Sequence, residues 1–308
     1  MKLEDIRRPG GPVLTPNLRG ALWMLGSAVS FTFMTTLVKF LGSDYPASLQ
    51  AFYRSAISWL ILAPAILHNW RAAYVTRQPA MLIFRSATGT LALIFAFYAY
   101  QELPLAEANA LSFTRSLWIV PLAAVLLHEH IGRARILATL IGFAGVLVML
   151  RPSAGGVPFG LGEAAALASS FLFAFTIISI KFMSRDNSAF TLIVWGTTLG
   201  TVFALPAAFF VWRWPGLWDL LLLGTMGVMG VITQVCYVKG MHVGEAAAMA
   251  PIDYVRLVFA VLIGLALFHE IPDGLTLVGA AVIVGATLYI TWREHRITRQ
   301  LSVERTME

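Results

Sequence analysis

LRGALWMLGSAVSFTFMTTLVKF (residues 18–40) and GLGEAAALASSFLFAFTIISIKF (residues 160–182) decide the fold. Each is an apolar run of roughly the 20 residues a helix needs to cross a bilayer core. The second repeats the first at an offset of 142: Ser27 falls on Ser169, Phe31 on Phe173, Phe33 on Phe175 and Lys39-Phe40 on Lys181-Phe182. The offset carries Pro64 onto Pro206. It shrinks to 138 where Glu107-Ala108-Asn109-Ala110 meets Glu245-Ala246-Ala247-Ala248, and to 137 where Thr139-Leu140-Ile141-Gly142 meets Thr276-Leu277-Val278-Gly279. Ala and Phe are common here, so no single match decides anything; the ordered series along half the chain does.

Working outward, apolar runs recur at about 18–40, 47–67, 80–100, 106–127, 134–150, 160–182, 189–211, 217–238, 246–268 and 273–291. A barrel strand would alternate at period two over about ten residues, so these ten runs predict helices. Composition agrees: 58% of the 308 residues are hydrophobic and 12% charged, with a mean hydropathy of +0.76. A soluble domain carries about twice that share of charge. Residues 1–17 are too polar for a signal-peptide core. The net charge of +6 does not point to nucleic acid, because the basic residues sit in short loops and tails between apolar runs. A single cysteine, Cys236, leaves no intramolecular disulfide and no cysteine-based metal site.

Lysine and arginine in the loops set the expected orientation. Of the 22 such residues, Lys39, Arg54, Arg85, Arg115, Lys181 and Arg256 lie inside spans, and Arg151 and Arg213 fall in one set of loops. All the others lie in the opposite set with both tails, which predicts cytoplasmic termini. Five spans per copy then force the second copy upside down. Charge follows: the loop with Arg71 and Arg77 has a counterpart with Arg213 and Asp219, and the loop with Arg133 and Arg135 has one with Glu270 and Asp273. The expected fold is an all-α integral membrane protein of ten transmembrane helices, two inverted five-helix repeats with both termini inside. Its parts are a cytoplasmic tail (1–17), a first repeat (18–150), a periplasmic linker (151–159), a second repeat (160–292) and a cytoplasmic tail (293–308).

Inverted repeats give a route to alternating access, with a substrate held near the midplane between the halves. A P-loop needs Gly-Lys, and the four lysines follow Met1, Val38, Ile180 and Val238, so no such ATP site is expected.

Spans 3 to 5 read RSATGTLALIFAFYAYQELPLAEANALSF (85–113), then a helix ending in His128-Glu129-His130, then TLIGFAGVLVML (139–150). Spans 8 to 10 read QVCYVKGMHVGEAAAMAPIDY (234–254), LFHE (267–270) and TLVGAAVIVGATLYITWRE (276–294). This pattern resembles the drug/metabolite transporter superfamily in its ten-helix EamA-type branch, over about residues 18 to 293. The resemblance implies a secondary transporter of a small metabolite in a bacterial-type inner membrane, with spans 1, 3, 4, 6, 8 and 9 around the cavity and spans 5 and 10 peripheral. It implies no cofactor and no enzymatic activity. The expected partners are a small-molecule substrate and the lipid bilayer, with proton or exchange coupling and a monomeric or homodimeric state both open. Riboflavin-like vitamin uptake is the first substrate expectation. Amino-acid or drug export and S-adenosylmethionine transport are the alternatives, and a membrane-embedded enzyme is the alternative of a different class.

Ionisable residues inside a bilayer are costly and are default site candidates. Arg115 and Asp253 occupy matched positions under the 138 offset, and Arg256 lies three residues beyond Asp253. They are expected to form a midplane network for substrate or proton, against the plainer reading of a static salt bridge. Glu107 and Glu245 open spans 4 and 9 as dipole-stabilising acids or as gate acids. Lys39, Lys181 and Arg85 are read as snorkelling to the interface; Arg54 is too deep for that and stays a candidate. Tyr98, Trp118, Tyr237 and Tyr254 fall on the implied cavity spans, as do Phe33, Phe113 and Phe173, and could stack on a flat ligand, against the plainer reading, favoured for any single one, of ordinary helix packing. Thr36, Asn109 and Gln234 would supply hydrogen bonds. His128-Glu129-His130 reads as solvated loop rather than metal site. Pro121 and Pro251 are expected to kink spans 4 and 9.

Overall fold

The computed structural model describes residues 16–126, 132–150, 160–183, 186–243 and 252–307, and its regular structure is helical throughout. Spans 1 to 3 are α1 (Pro16–Leu41), α2 (Ala47–His68) and α4 (Pro79–Glu102), with a short α3 (Trp70–Tyr74) between the last two. Span 4 is split into α5 (Leu105–Ser112) and α6 (Thr114–Leu126), and span 5 is α7 (Arg133–Leu150). Spans 6 to 8 are α8 (Leu161–Met183), α9 (Ala189–Phe209) and α10 (Leu217–Val243). Span 9 contains α11 (Val255–Phe268), and span 10 is α12 (Gly274–Met307). Among the described residues, nine segments are long and apolar enough to cross a membrane, and α11 is a shorter apolar helix. The chain is a multi-pass membrane protein. α12 runs on past the apolar span, through residue 293, to Met307.

The side chains are arranged for lipid. On α1, Ser27, Ser30, Thr32, Thr35 and Thr36 are buried while Leu22, Val29, Phe33 and Phe40 are exposed. In water those exposed side chains would be a large apolar patch; against hydrocarbon they cost nothing. The threonine hydroxyls bond within the helix, Thr32 to Ala28 O at 2.8 Å and Thr36 to Thr32 O at 2.7 Å, while Ser27 donates across to Thr233 O of α10 at 3.1 Å.

The main helix contacts pair α1 with α10, α4 with α8, α2 with α9, α5 with α11 and α7 with α12. Each of these five pairs joins a span from the first half of the chain to one from the second. The α7–α12 crossing is the tightest in its backbone. A Cβ on Gly279 would lie 2.7 Å from Gly145 O and 2.8 Å from Met149 Cβ, and one on Gly145 would lie 2.8 Å from Val282 Cγ1. Small residues at such crossings let backbones approach where no hydrophobic force drives helices together. Gly279→Ala must push backbone apart rather than turn a side chain, and is expected to cost about 1–3 kcal/mol, read as a lower Tm in detergent. An unchanged Tm would show that this crossing opens freely.

Polar contacts tie the helix ends together. Where α1 finishes, the buried Tyr45 hydroxyl donates to Asp219 Oδ2 at 2.8 Å and Gln101 Nε2 donates to Gly42 O and Tyr45 O, each at 2.9 Å. Burial first, then that bond to Asp219, hold the Tyr45 phenol above its ordinary value. At the opposite end, Thr76 donates to Asn187 Oδ1 at 2.6 Å and Gln78 Nε2 to Asp186 Oδ2 at 2.8 Å.

Candidate functional site

Spans 4 and 9 are both interrupted, and the interruptions meet. In span 4 the Ser112 hydroxyl takes Asn109 O at 2.7 Å, and Phe113 N turns to Ala110 O at 3.1 Å. The Thr114 hydroxyl takes Leu111 O at 2.7 Å. Side-chain hydroxyls thus occupy carbonyls that a continuous helix would use, and the helix breaks at Phe113. Pro121 does not break its helix: α6 runs through it, so the expected kink lies about two turns away from the real interruption. Span 9 turns at Tyr254, just before α11; Pro251 lies outside the described residues. The rings of Phe113 and Tyr254 approach to 4.5 Å.

The charges flank these two turns. Arg115 Nη2 donates to Asp253 Oδ2 at 3.2 Å, and Arg256 Nη2 lies 3.4 Å from the same oxygen. The Arg256 side chain is 4% exposed, against 17% for Asp253 and 26% for Arg115. Its guanidinium carbon lies over two rings, 4.8 Å from the centroid of Phe31 and 4.4 Å from that of Phe113. Tyr100 and Tyr237 lie within electrostatic reach of the cluster. Tyr237, on α10, is nevertheless 38% exposed.

Other expected site residues land in different places. Tyr254 joins the cluster: its ring touches Phe113 and its hydroxyl donates to Thr287 Oγ1 at 2.5 Å. Asn109 is fully buried, donating to Leu105 O at 2.8 Å and accepting from the Tyr100 hydroxyl at 3.4 Å. It braces the break. Thr36 spends its hydroxyl on its own helix, Tyr98 packs partly buried against the core, and Gln234 is exposed on α10. Trp118 is apart from the charges, edge-on to Phe143 at 4.7 Å and to Phe171 at 5.3 Å. Arg54 turns its Nε to Met34 Sδ at 3.4 Å and packs on Gly230, whose missing Cβ leaves it room. Glu107 sits in the first turn of α5; Glu245 and His128-Glu129-His130 lie outside the described residues. Among the described residues, no group of three His, Cys, Asp or Glu side chains gathers to hold a metal.

Two residues read as snorkelling do not snorkel. Arg85 reaches sideways to Leu192 O at 3.4 Å on α9. Lys39 forms an ion pair with Glu270 and donates to Leu103 O at 2.6 Å. The other carboxylate oxygen of Glu270 accepts from Leu105 N, at the start of α5, at 2.9 Å. His269, in the left-handed region at φ 54°, turns the chain so that Glu270 can reach both. Lysine and carboxylate thus join α1, the α4–α5 connection and the end of α11.

Two apolar grooves lie elsewhere, one of about 350 Å³ along α11 and α12 and one of about 400 Å³ between α4, α6 and α8. Both are open and lined by apolar side chains, as expected of helix seams facing lipid; neither contains Arg115, Asp253 or Arg256.

Comparison with known proteins gives a consistent result. The S-adenosylmethionine uptake transporter of Rickettsia bellii is 29% identical over 277 residues, covering 90% of this chain and 94% of that protein. The riboflavin transporter of Vibrio cholerae is 29% identical over 296 residues, covering 93% and 97%. A solved crystal structure superposes with a TM-score of 0.61 at 21% identity, over 90% of this chain and 98% of the other, and shows a shared fold. The model of the EamA-like transporter family matches twice, at residues 18–151 and 160–292. Two consecutive matches spanning nearly the whole chain leave one assignment: this protein belongs to the EamA-like transporter family.

Proposed function

We infer that the chain is a secondary transporter that carries a small metabolite across a bacterial-type inner membrane by alternating access. The halves 18–150 and 160–292 are inverted repeats, with both termini cytoplasmic. The pairing of every main helix contact across the two halves supports this, as does the opposite charge bias of matched loops. The observation that carries the reading is the Arg115–Asp253–Arg256 cluster at the facing interruptions of spans 4 and 9. Discontinuous helices at membrane depth, with charges beside them, are where carriers hold their substrates.

The site favours a substrate with a charged end and a flat ring. Half-buried Tyr254 and exposed Tyr237 suit a ring; the three charges suit an ion. S-adenosylmethionine has both, so it moves ahead of riboflavin, whose ring fits but which is uncharged. Amino-acid or drug export remains the alternative within the class. Proteoliposomes containing the purified chain are expected to show saturable flux of labelled S-adenosylmethionine, with riboflavin as the second solute. A membrane-embedded enzyme would instead transform a lipid or prenyl compound with no solute flux, and that result would replace the carrier reading.

A further inference from the structure

We propose that the Nε–Nη2 edge of Arg256 is the docking point for a carboxylate of the transported molecule, with Asp253 as the seat of its ammonium group. The proposal deepens the carrier reading above and rests on it.

The Arg256 guanidinium carbon lies 4.8 Å from the ring centre of Phe31 and 4.4 Å from that of Phe113. Of the in-plane donors, Nε has no hydrogen-bond partner among the described residues, and Nη2 has only the 3.4 Å approach to Asp253, too poorly directed to count as a hydrogen bond. Those two donors lie on the same edge and form the fork that matches a carboxylate with two parallel bonds. A buried guanidinium with that edge unsatisfied is costly unless something completes it.

Charge points the same way. The charged groups acting on Arg256 are Asp253 and Arg115, so two cations share one anion, through a single oxygen. An incoming carboxylate neutralises the excess. Asp253 keeps its 3.2 Å bond to Arg115 through Oδ2, and the ammonium would take its other oxygen. A group bearing both charges on adjacent atoms, the α-amino carboxylate, completes the site; a neutral sugar alcohol or a lone cation does not. The half-buried ring of Tyr254 then faces the remainder of the molecule. Access is through the partly open side of the cluster, at Arg115 and Tyr237.

The test uses the full chain purified in detergent and reconstituted in proteoliposomes. The probes are S-adenosylmethionine, its decarboxylated analogue, L-methionine and riboflavin. Removing the carboxylate is expected to weaken binding at least about tenfold, since a lost bidentate pair is worth about that factor or more. Arg256→Lys, which keeps the charge and loses the fork, is expected to weaken S-adenosylmethionine by a similar factor while leaving its decarboxylated analogue unchanged. A merely structural role for Arg256 would shift both probes together. Equal binding of the matched pair, or an equal effect of Arg256→Lys on both, overturns the carboxylate assignment. Riboflavin flux without flux of any carboxylate probe also overturns it and leaves the carrier reading standing; no saturable flux of any of the four overturns both.

Discussion

Asp253→Asn is expected to abolish solute flux and to lower stability by about 3–5 kcal/mol, the cost of removing one partner from a buried ion pair. Among the described residues Asp253 is the one anion in contact with two guanidiniums, and one of these, Arg256, is 4% exposed and packed against two phenyl rings. Take the carboxylate away and a buried cation is left facing a neutral amide. The two arginines then repel each other in a medium that screens them poorly. Arg115→Ala should behave differently. Arg115 is 26% exposed and Asp253 retains Arg256, so flux falls while the Tm moves little. The double variant Asp253→Asn/Arg256→Gln removes anion and cation together. It should recover most of the stability lost by Asp253→Asn and none of the transport. This combination separates a static brace from a working site: a brace replaced by neutral residues of similar size restores function along with stability. Wild-type flux in both Arg115→Ala and Asp253→Asn would discard the cluster as the site.

The pairing of Arg115 with Asp253 was legible before any coordinates, because two rare intramembrane charges of opposite sign occupied matched places in a repeat. The repeat itself was legible for the same reason: helical spans must be long and apolar, so ordered coincidences of polar and small residues stand out against them. What a one-dimensional pattern does not carry is the partner across space. Lys39 ends an apolar run and reads as a snorkelling lysine; only the fold brings Glu270, from a loop far along the chain, onto it. Phe31 was visible as a repeat match, yet its place over Arg256 depends on how α1 faces α11. The interruption at Phe113 was missed in favour of Pro121, since proline is the residue that advertises a kink. At that interruption the hydroxyls of Ser112 and Thr114 take the Asn109 and Leu111 carbonyls. The same bonding by Thr32 and Thr36 on α1 leaves that helix unbroken, so the residue types alone do not mark the break. Trp118, an aromatic on the expected span, faces Phe143 and Phe171 instead of the charges: span membership fixes neither face nor depth.

Lys39→Ala is expected to open the end of the bundle at which α1 finishes. Lys39 and Glu270 are 12% and 18% exposed, so their attraction is screened less than that of a surface pair, and Glu270 also closes on Leu105 N at the positive end of α5. One residue thus fastens α1, the α4–α5 connection and α11 at a single point. In the proposed alternating-access cycle this contact is unfastened once per turn, which would make the pair part of the balance between two conformations rather than the stability of one. Losing about 1.4 kcal/mol from one side of that balance shifts it tenfold. The reporter is Thr36→Cys, one turn below Lys39 and 7% exposed, in a chain whose native Cys236 has been replaced by alanine. With Lys39 present, an impermeant maleimide applied from that face should label position 36 slowly. With Lys39→Ala or Glu270→Gln, labelling should quicken about tenfold. The reversed pair, Lys39→Glu with Glu270→Lys, tests the electrostatic part alone. It restores the ion pair but turns the Leu105 amide against a cation, so slow labelling should return only in part. Full return would assign the closure to the ion pair and make the amide bond incidental. Fast labelling in the unaltered background would mean that this contact closes nothing.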